Sequence, residues 1–124
     1  NFVAFSQTRK ELENQRKKAE SFHELYVKSD SRIYKIILDN ILFIEAMADY
    51  VIFNTVKGKH IVHHTMKGIE KKLPASTFGR VHRSYIINFD KIEYFEDMNV
   101  VINDKYIPVG VSYREKVFER LNML

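Results

Sequence analysis

The stretch FGRVHRSYIIN, residues 78–88, sets Arg80, His82, Arg83 and Ser84 among Phe78, Val81, Tyr85, Ile86 and Ile87. One uninterrupted strand would place Val81, Arg83, Tyr85 and Ile87 on one face and Arg80, His82, Ser84, Ile86 and Asn88 on the other, so each face would mix core with charge. A guanidinium buried without a partner costs several kcal/mol. The segment therefore has to break near Arg83–Ser84. The order it predicts is a strand, an exposed polar corner, and a short turn in which Tyr85, Ile86 and Ile87 return to the core. The competing period is a helical stripe of Phe78, Val81, Tyr85 and Phe89.

Such a corner presents a fork of donors, an imidazole and a small hydroxyl. Arginine can read guanine O6 and N7 with two hydrogen bonds while serine and backbone N–H groups hold phosphate. The same residues also suit structure alone, with Arg83 paired to Glu45 or Asp49 and Ser84 capping the turn. Residue chemistry leaves both open.

Around this stretch the chain is rich in short runs of Ile, Val, Tyr and Phe: RIYKIIL, ILFIEAM, YVIFNTV, KHIVHH and NVVIND. Asp39-Asn40, Lys57-Gly58 and Asn103-Asp104 separate them as tight-turn signals, since these residues tolerate positive φ. Connections so short cannot hold crossover helices, which predicts a mostly β, antiparallel domain rather than a doubly wound sheet. HTMKGIEKKLP, 64–74, predicts a short helix with Thr65 as N-cap, Met66, Ile69 and Leu73 facing inward, and Pro74 at its end. SYREKVFERLNML predicts a second helix, capped by Ser112, with Val117, Phe118, Leu121 and Leu124 on one stripe.

Upstream, residues 6–24 lack Gly and Pro and are dominated by helix formers. Phe5, Leu12, Ala19 and Tyr26 recur every seven positions, with Phe22 besides. Residues 1–27 are therefore expected to be a linker helix, and 28–124 the domain proper. The chain opens at Asn1 with neither an initiator methionine nor a basic-then-apolar leader, and reads as a segment of a longer protein.

With 124 residues, one core is expected. The absence of cysteine excludes disulfides, thiolate catalysis and Cys-ligated zinc. No apolar run approaches the roughly 20 residues of a membrane helix, so a soluble protein is expected, and the lack of cysteine is compatible with a cytoplasmic location. His60, His63 and His64 bring at most two ligands together on a strand, which argues against a metal site. Glu93, Glu96 and Asp97 lack a nearby nucleophile or phosphate-cradling glycines. Neither an enzyme nor a cofactor is expected.

The formal charge is +4, but residues 57–83 hold seven Lys and Arg against Glu70 alone, a surplus of six that leaves the remainder at −2. Asp90, Glu93, Glu96 and Asp97 follow directly, so basic and acidic faces should separate.

FGRVHRSYIIN resembles the signature of the LytTR family, the DNA-binding output domains of many bacterial response regulators. There Phe-x-Arg-x-His-(Arg or Asn)-Ser-(Tyr or Phe)-hydrophobic-hydrophobic-Asn is typical. ILFIEAMADYVIF, HTMKGIEKKLPASTF and YIPVGVSYREKVFERL are similar, in order, to the family's opening strands, its short helix leading to Leu-Pro, and its last strand and helix. The resemblance covers about 28–124. It implies an elongated, stacked antiparallel fold in which loops, not a recognition helix, enter the DNA grooves.

Carried over by position, Arg83 is implied to be the principal base-reading residue, with Ser84, His82 and Arg80 as positioning and phosphate-contacting neighbours. The loop Met47–Tyr50 implies base contacts from Asp49 and Tyr50. The loop Gly110–Arg114 is a third contact region. Here the chain departs, because Gly110-Val111-Ser112 stands where many members carry Ser-Arg-Ser. Base contact there falls to Tyr113 and Arg114, and phosphate contact to Ser112. Lys57, Lys59, Lys67 and Lys71 are expected to supply the salt-dependent term. The expected partners are double-stranded DNA, an upstream receiver domain and a second copy on adjacent half-sites. The competing class is a β-rich protein-interaction module with an incidental basic patch.

Overall fold

The computed structural model describes residues 23–124. Along them run β1 (Glu24–Ser29), β2 (Arg32–Ile37), β3 (Ile41–Met47), β4 (Tyr50–Thr55), β5 (Gly58–His63), α1 (Met66–Lys72), β6 (Phe78–His82), β7 (Tyr85–Asn88), β8 (Tyr94–Glu96), β9 (Asn99–Ile102), β10 (Lys105–Pro108) and α2 (Arg114–Glu119). The strands form a β1–β2 hairpin, a central sheet in the order β5-β4-β3-β7-β6, and a three-stranded sheet in the order β10-β9-β8. Every pairing among them is antiparallel. The fold class expected from the strand texture is the one observed.

The central sheet is covered on both faces. Ile44, Phe53, Phe78 and Ile86 pack with Val27 and Ile36 of the hairpin and Met66 and Ile69 of α1. Phe43, Val81 and Ile87 pack with Val100, Ile102 and Ile107 of the three-stranded sheet and Val117 of α2. Consecutive residues such as Ile86 and Ile87 therefore point to opposite layers and are both buried. Each such side chain contributes about 1.5–3 kcal/mol on burial.

This double cover answers the opening puzzle. Tyr85–Asn88 is a strand rather than the expected turn, because it has a core on either side. In the β6–β7 ladder Arg80 pairs with Ile86 and His82 with Tyr85, leaving Val81 as the extra residue of a β-bulge. Phe78 and Val81, three positions apart, alternate onto opposite faces and are both buried, in different layers. Asn88 closes the motif in full burial. Its amide donates to the Ile41 carbonyl at 2.9 Å, and its side-chain oxygen accepts from the Asp90 amide at 2.9 Å.

Several local expectations change. Glu24–Val27 belong to β1 rather than to a linker helix and His23 is a turn residue; the helix expected over residues 1–22 lies outside the described residues. Asp39-Asn40 is not a hairpin turn but part of a 3-10 turn, Leu38–Asn40, that leads from the hairpin into the central sheet. Thr65 does cap α1, its hydroxyl accepting from Gly68 at 3.0 Å. Ser112 caps nothing: it lies within a 3-10 turn, Val111–Tyr113, and α2 starts at Arg114 without a side-chain cap. That helix ends at Glu119, so Leu121 and Leu124 fall beyond it and Leu124 is exposed.

Candidate nucleic-acid interface

Antiparallel pairing puts three connections at one end of the central sheet. Glu45 of β3 stands opposite Tyr85 of β7, and beyond that pair the Ala46 amide donates to the Ser84 carbonyl at 2.9 Å. The Ala48-Asp49 turn and the Arg83-Ser84 turn are thus neighbours. Tyr50 pairs with His63, which brings the start of α1 to the same end. The segment at Gly110 arrives from the other layer, its amide donating to the Val81 carbonyl at 2.7 Å.

Arg83 is exposed at the tip of a two-residue turn. Among the described residues the ion pairs are Lys35 with Glu24 and Arg80 with Glu70; Arg83 enters neither. Its pairing with Glu45 or Asp49, the structural option, is not formed; Glu45 instead accepts from the Asn54 amide at 3.3 Å. Nor does the Ser84 hydroxyl supply a turn cap. The His82 imidazole does so, Nδ1 accepting from the Ser84 amide at 3.1 Å while the ring lies edge-on to Tyr85 at 5.7 Å.

Arg80 is differently placed. Its Nε donates to the His82 carbonyl at 3.1 Å, one terminal nitrogen to Glu70 Oε1 at 3.1 Å, and the other to the Arg83 carbonyl. The side chain retains only 18% exposure. Glu70 is the one element of this arrangement that sequence reasoning missed, although it stood out as the single acid in a basic segment.

Asp49 and Tyr50 are exposed, and share a shallow hollow with His63, His64 and Thr65. His63 packs edge-on to Tyr50 at 5.2 Å, whereas His60 lies tilted against Tyr34 at 4.8 Å. In the third loop Ser112 is exposed, while Tyr113 and Arg114 are half-buried and Arg114 Nε is enclosed without a hydrogen-bond partner. Below it, Arg120 fastens the chain after α2 to β6: it donates to the Phe78 carbonyl at 3.1 Å and lies 3.9 Å over the Phe89 ring. Desolvation lowers its pKa from the ordinary guanidinium value. Only a glycine at 79 admits this approach, since a Cβ there would stand 2.5 Å from Phe89 and 2.6 Å from Arg120.

The basic segment is divided by the fold. Lys67 lies in the first turn of α1, at the end that holds Arg83, and Lys71 in its last turn. Lys57 in the β4–β5 turn and Lys59 at the start of β5 lie at the opposite end, about 17 Å away along β4. All four are exposed. The acids Glu93, Glu96 and Asp97 sit on the three-stranded sheet. There they accept hydrogen bonds from the Asn103 amide (Glu93, 2.7 Å) and the Tyr106 hydroxyl (Glu96, 3.1 Å) or shape the β8–β9 turn. No described helix is long and apolar enough to cross a membrane.

Comparison with known proteins is consistent with this geometry. The profile of the LytTr DNA-binding domain matches residues 31–122. The sensory transduction protein LytT of Bacillus anthracis is 26% identical over 107 residues, which cover 82% of this chain and 44% of that protein. LytT of Enterococcus faecalis is 27% identical over 117 residues, 90% of this chain and 48% of that protein. The chain thus spans less than half the length of these relatives. A solved LytTr DNA-binding domain of a putative methyl-accepting/DNA response regulator from Bacillus cereus superposes with a TM-score of 0.72 at 20% identity, over 82% of this chain and 98% of that one. That likeness concerns the fold, whereas the profile match spans both the Arg83 hairpin and the loops beside it: this chain belongs to the LytTr DNA-binding domain family.

Proposed function

We propose that this domain reads duplex DNA sequence-specifically through the Arg83 turn, as the output part of a cytoplasmic bacterial response regulator with a receiver domain upstream. The observation that carries the reading is an exposed arginine at a turn tip, without a carboxylate partner among the described residues, where three connections converge. A guanidinium so presented can donate two hydrogen bonds to guanine in the major groove. Asp49 and Tyr50 flank it from one side, and Tyr113 and Arg114 from the other. Ser84, Ser112, Lys67 and Lys71 are suited to the phosphates alongside, and His82 shapes the turn. Lys57 and Lys59 meet phosphate only on a duplex that extends along the sheet. A second copy acting on an adjacent half-site belongs to the same proposal. Binding is the whole activity in this reading; no catalytic role is assigned.

The test is selection of bound fragments from a random duplex pool, followed by titration of the recovered sequence against a scrambled one. Arg83→Ala should cost on the order of 1–3 kcal/mol on the recovered sequence and relax discrimination at one base pair. Unaltered preference in that variant would overturn the assignment.

A further inference from the structure

The β6–β7 connection lacks the usual means of closing a two-residue hairpin. Such turns ordinarily adopt positive φ at one or both central residues, which matches the twist of the flanking strands. The β9–β10 turn does so, with φ of 49° at Asn103 and 64° at Asp104, as does the β8–β9 turn, with 51° at Asp97 and 61° at Met98. Arg83 and Ser84 both keep negative φ. Something outside the turn residues has to hold this hairpin end.

We propose that Glu70 and Arg80 form a positioning brace that sets the direction of Arg83 and thereby the sequence preference of the domain. This rests on the DNA-reading role of Arg83 proposed above. Glu70, anchored on α1, orients the Arg80 fork, whose remaining donors grip the carbonyls of His82 and Arg83. The residue that reads is held through its own backbone by the residue three places before it. The Val81 bulge makes this grip feasible, since it bends β6 just before the turn. His82 completes the clamp on Ser84. Arg80 is a positioning residue and Arg83 the contacting one. A planar guanidinium can serve three acceptors at fixed angles, which an ammonium on a flexible stem cannot.

The brace and a direct phosphate contact by Arg80 predict opposite outcomes. Were Arg80 a phosphate ligand, Glu70→Gln would release it and remove a repelling charge, tightening binding to every duplex and steepening the salt slope by about 0.9. Arg80→Lys would then be nearly neutral. The brace predicts instead that both variants lose at least about fivefold of the preference for the selected over the scrambled duplex, with the salt slope unchanged.

The experiment uses the 124-residue chain: wild type, Glu70→Gln, Arg80→Lys and Arg83→Ala, each titrated with both duplexes at several salt concentrations. Circular-dichroism melts define a temperature at which each is folded. Loss of fold alone weakens both duplexes equally and leaves their ratio intact, so the ratio reports positioning. If Arg83→Ala loses discrimination while Glu70→Gln and Arg80→Lys keep it, the brace is refuted and the DNA-reading proposal stands. If the wild type shows no preference between the duplexes, the reading itself falls and the brace with it.

Discussion

The amide of Gly110 donates to the carbonyl of Val81 at 2.7 Å, and this one bond joins the third loop to the strand that presents Arg83. Gly110 has φ −64° and ψ 148°, values open to proline. Gly110→Pro keeps these angles but removes the donor and sets a ring carbon where the bonded hydrogen stood, so the loop has to shift away from the Val81 carbonyl. The lost bond outweighs the entropy that proline takes from the unfolded chain, so a net destabilisation of at least about 1 kcal/mol is expected in urea melts. Binding to a selected duplex should weaken further than the stability change explains, because the loop would then be shifted relative to the hairpin even though Val109 and Tyr113 still pack with Val81. A variant as stable and as tight as wild type would show that the two loops act independently.

Asn88 is fully buried, and bonds the Ile41 carbonyl and the Asp90 amide. Asn88→Leu has a suitable volume but leaves both groups unpaired, at a cost of about 2–4 kcal/mol. Denaturant midpoints would show it. Discrimination between duplexes in the folded fraction should be unchanged, since Asn88 lies at the end of β7 remote from the turn.

Lys67 and Lys57 are both exposed, yet they stand at opposite ends of the central sheet. Lys67→Ala should weaken all duplexes alike and reduce the salt slope by about 0.9, whereas Lys57→Ala should do so only on duplexes long enough to reach its end. Binding assays with a short and a long duplex at several salt concentrations check this. Equal effects of the two lysines on the short duplex would contradict the division.

The Tyr106 hydroxyl lies 3.4 Å from that of Tyr94 and donates to Glu96 Oε2 at 3.1 Å. Bonding to Tyr94, then bonding to Glu96 and the Glu96 charge, raises its pKa above the ordinary phenol value of 10.0. The folded state thus holds this proton more tightly than the unfolded chain. Its stabilising contribution is whole below about pH 10 and is lost as the pH climbs further. Ultraviolet titration should find one phenol of the wild type ionising late and missing from Tyr106→Phe, and the variant should lose less stability above pH 10.

The polar corner could be read from residues 78–88 because an arginine among apolar neighbours has to escape burial whatever the rest of the chain does. The bulge at Val81 could not, since it is defined by which residues of β7 stand opposite. Ile86 and Ile87 read as a return to the core. That they form a strand followed from a second layer, which comes from β9 and β10 later in the chain. The ELYVKS segment followed a run of helix formers, and only its pairing with β2 makes it a strand. In the site, the freedom of Arg83 was legible as chemistry. The occupation of Arg80 was not, because it depends on α1 bringing Glu70 to within 3.1 Å.

Because the Arg83–Ser84 tip takes its shape from side chains outside it, and both tip residues keep ordinary backbone angles, neither position has to be glycine, asparagine or aspartate. Apart from proline at 84, which would lack the N–H that His82 holds, the common L-amino acids meet no left-handed backbone there. The tip is thus a socket for interchangeable contacts, and new operator preferences could be sought by randomising residues 83 and 84 alone while the scaffold stays constant.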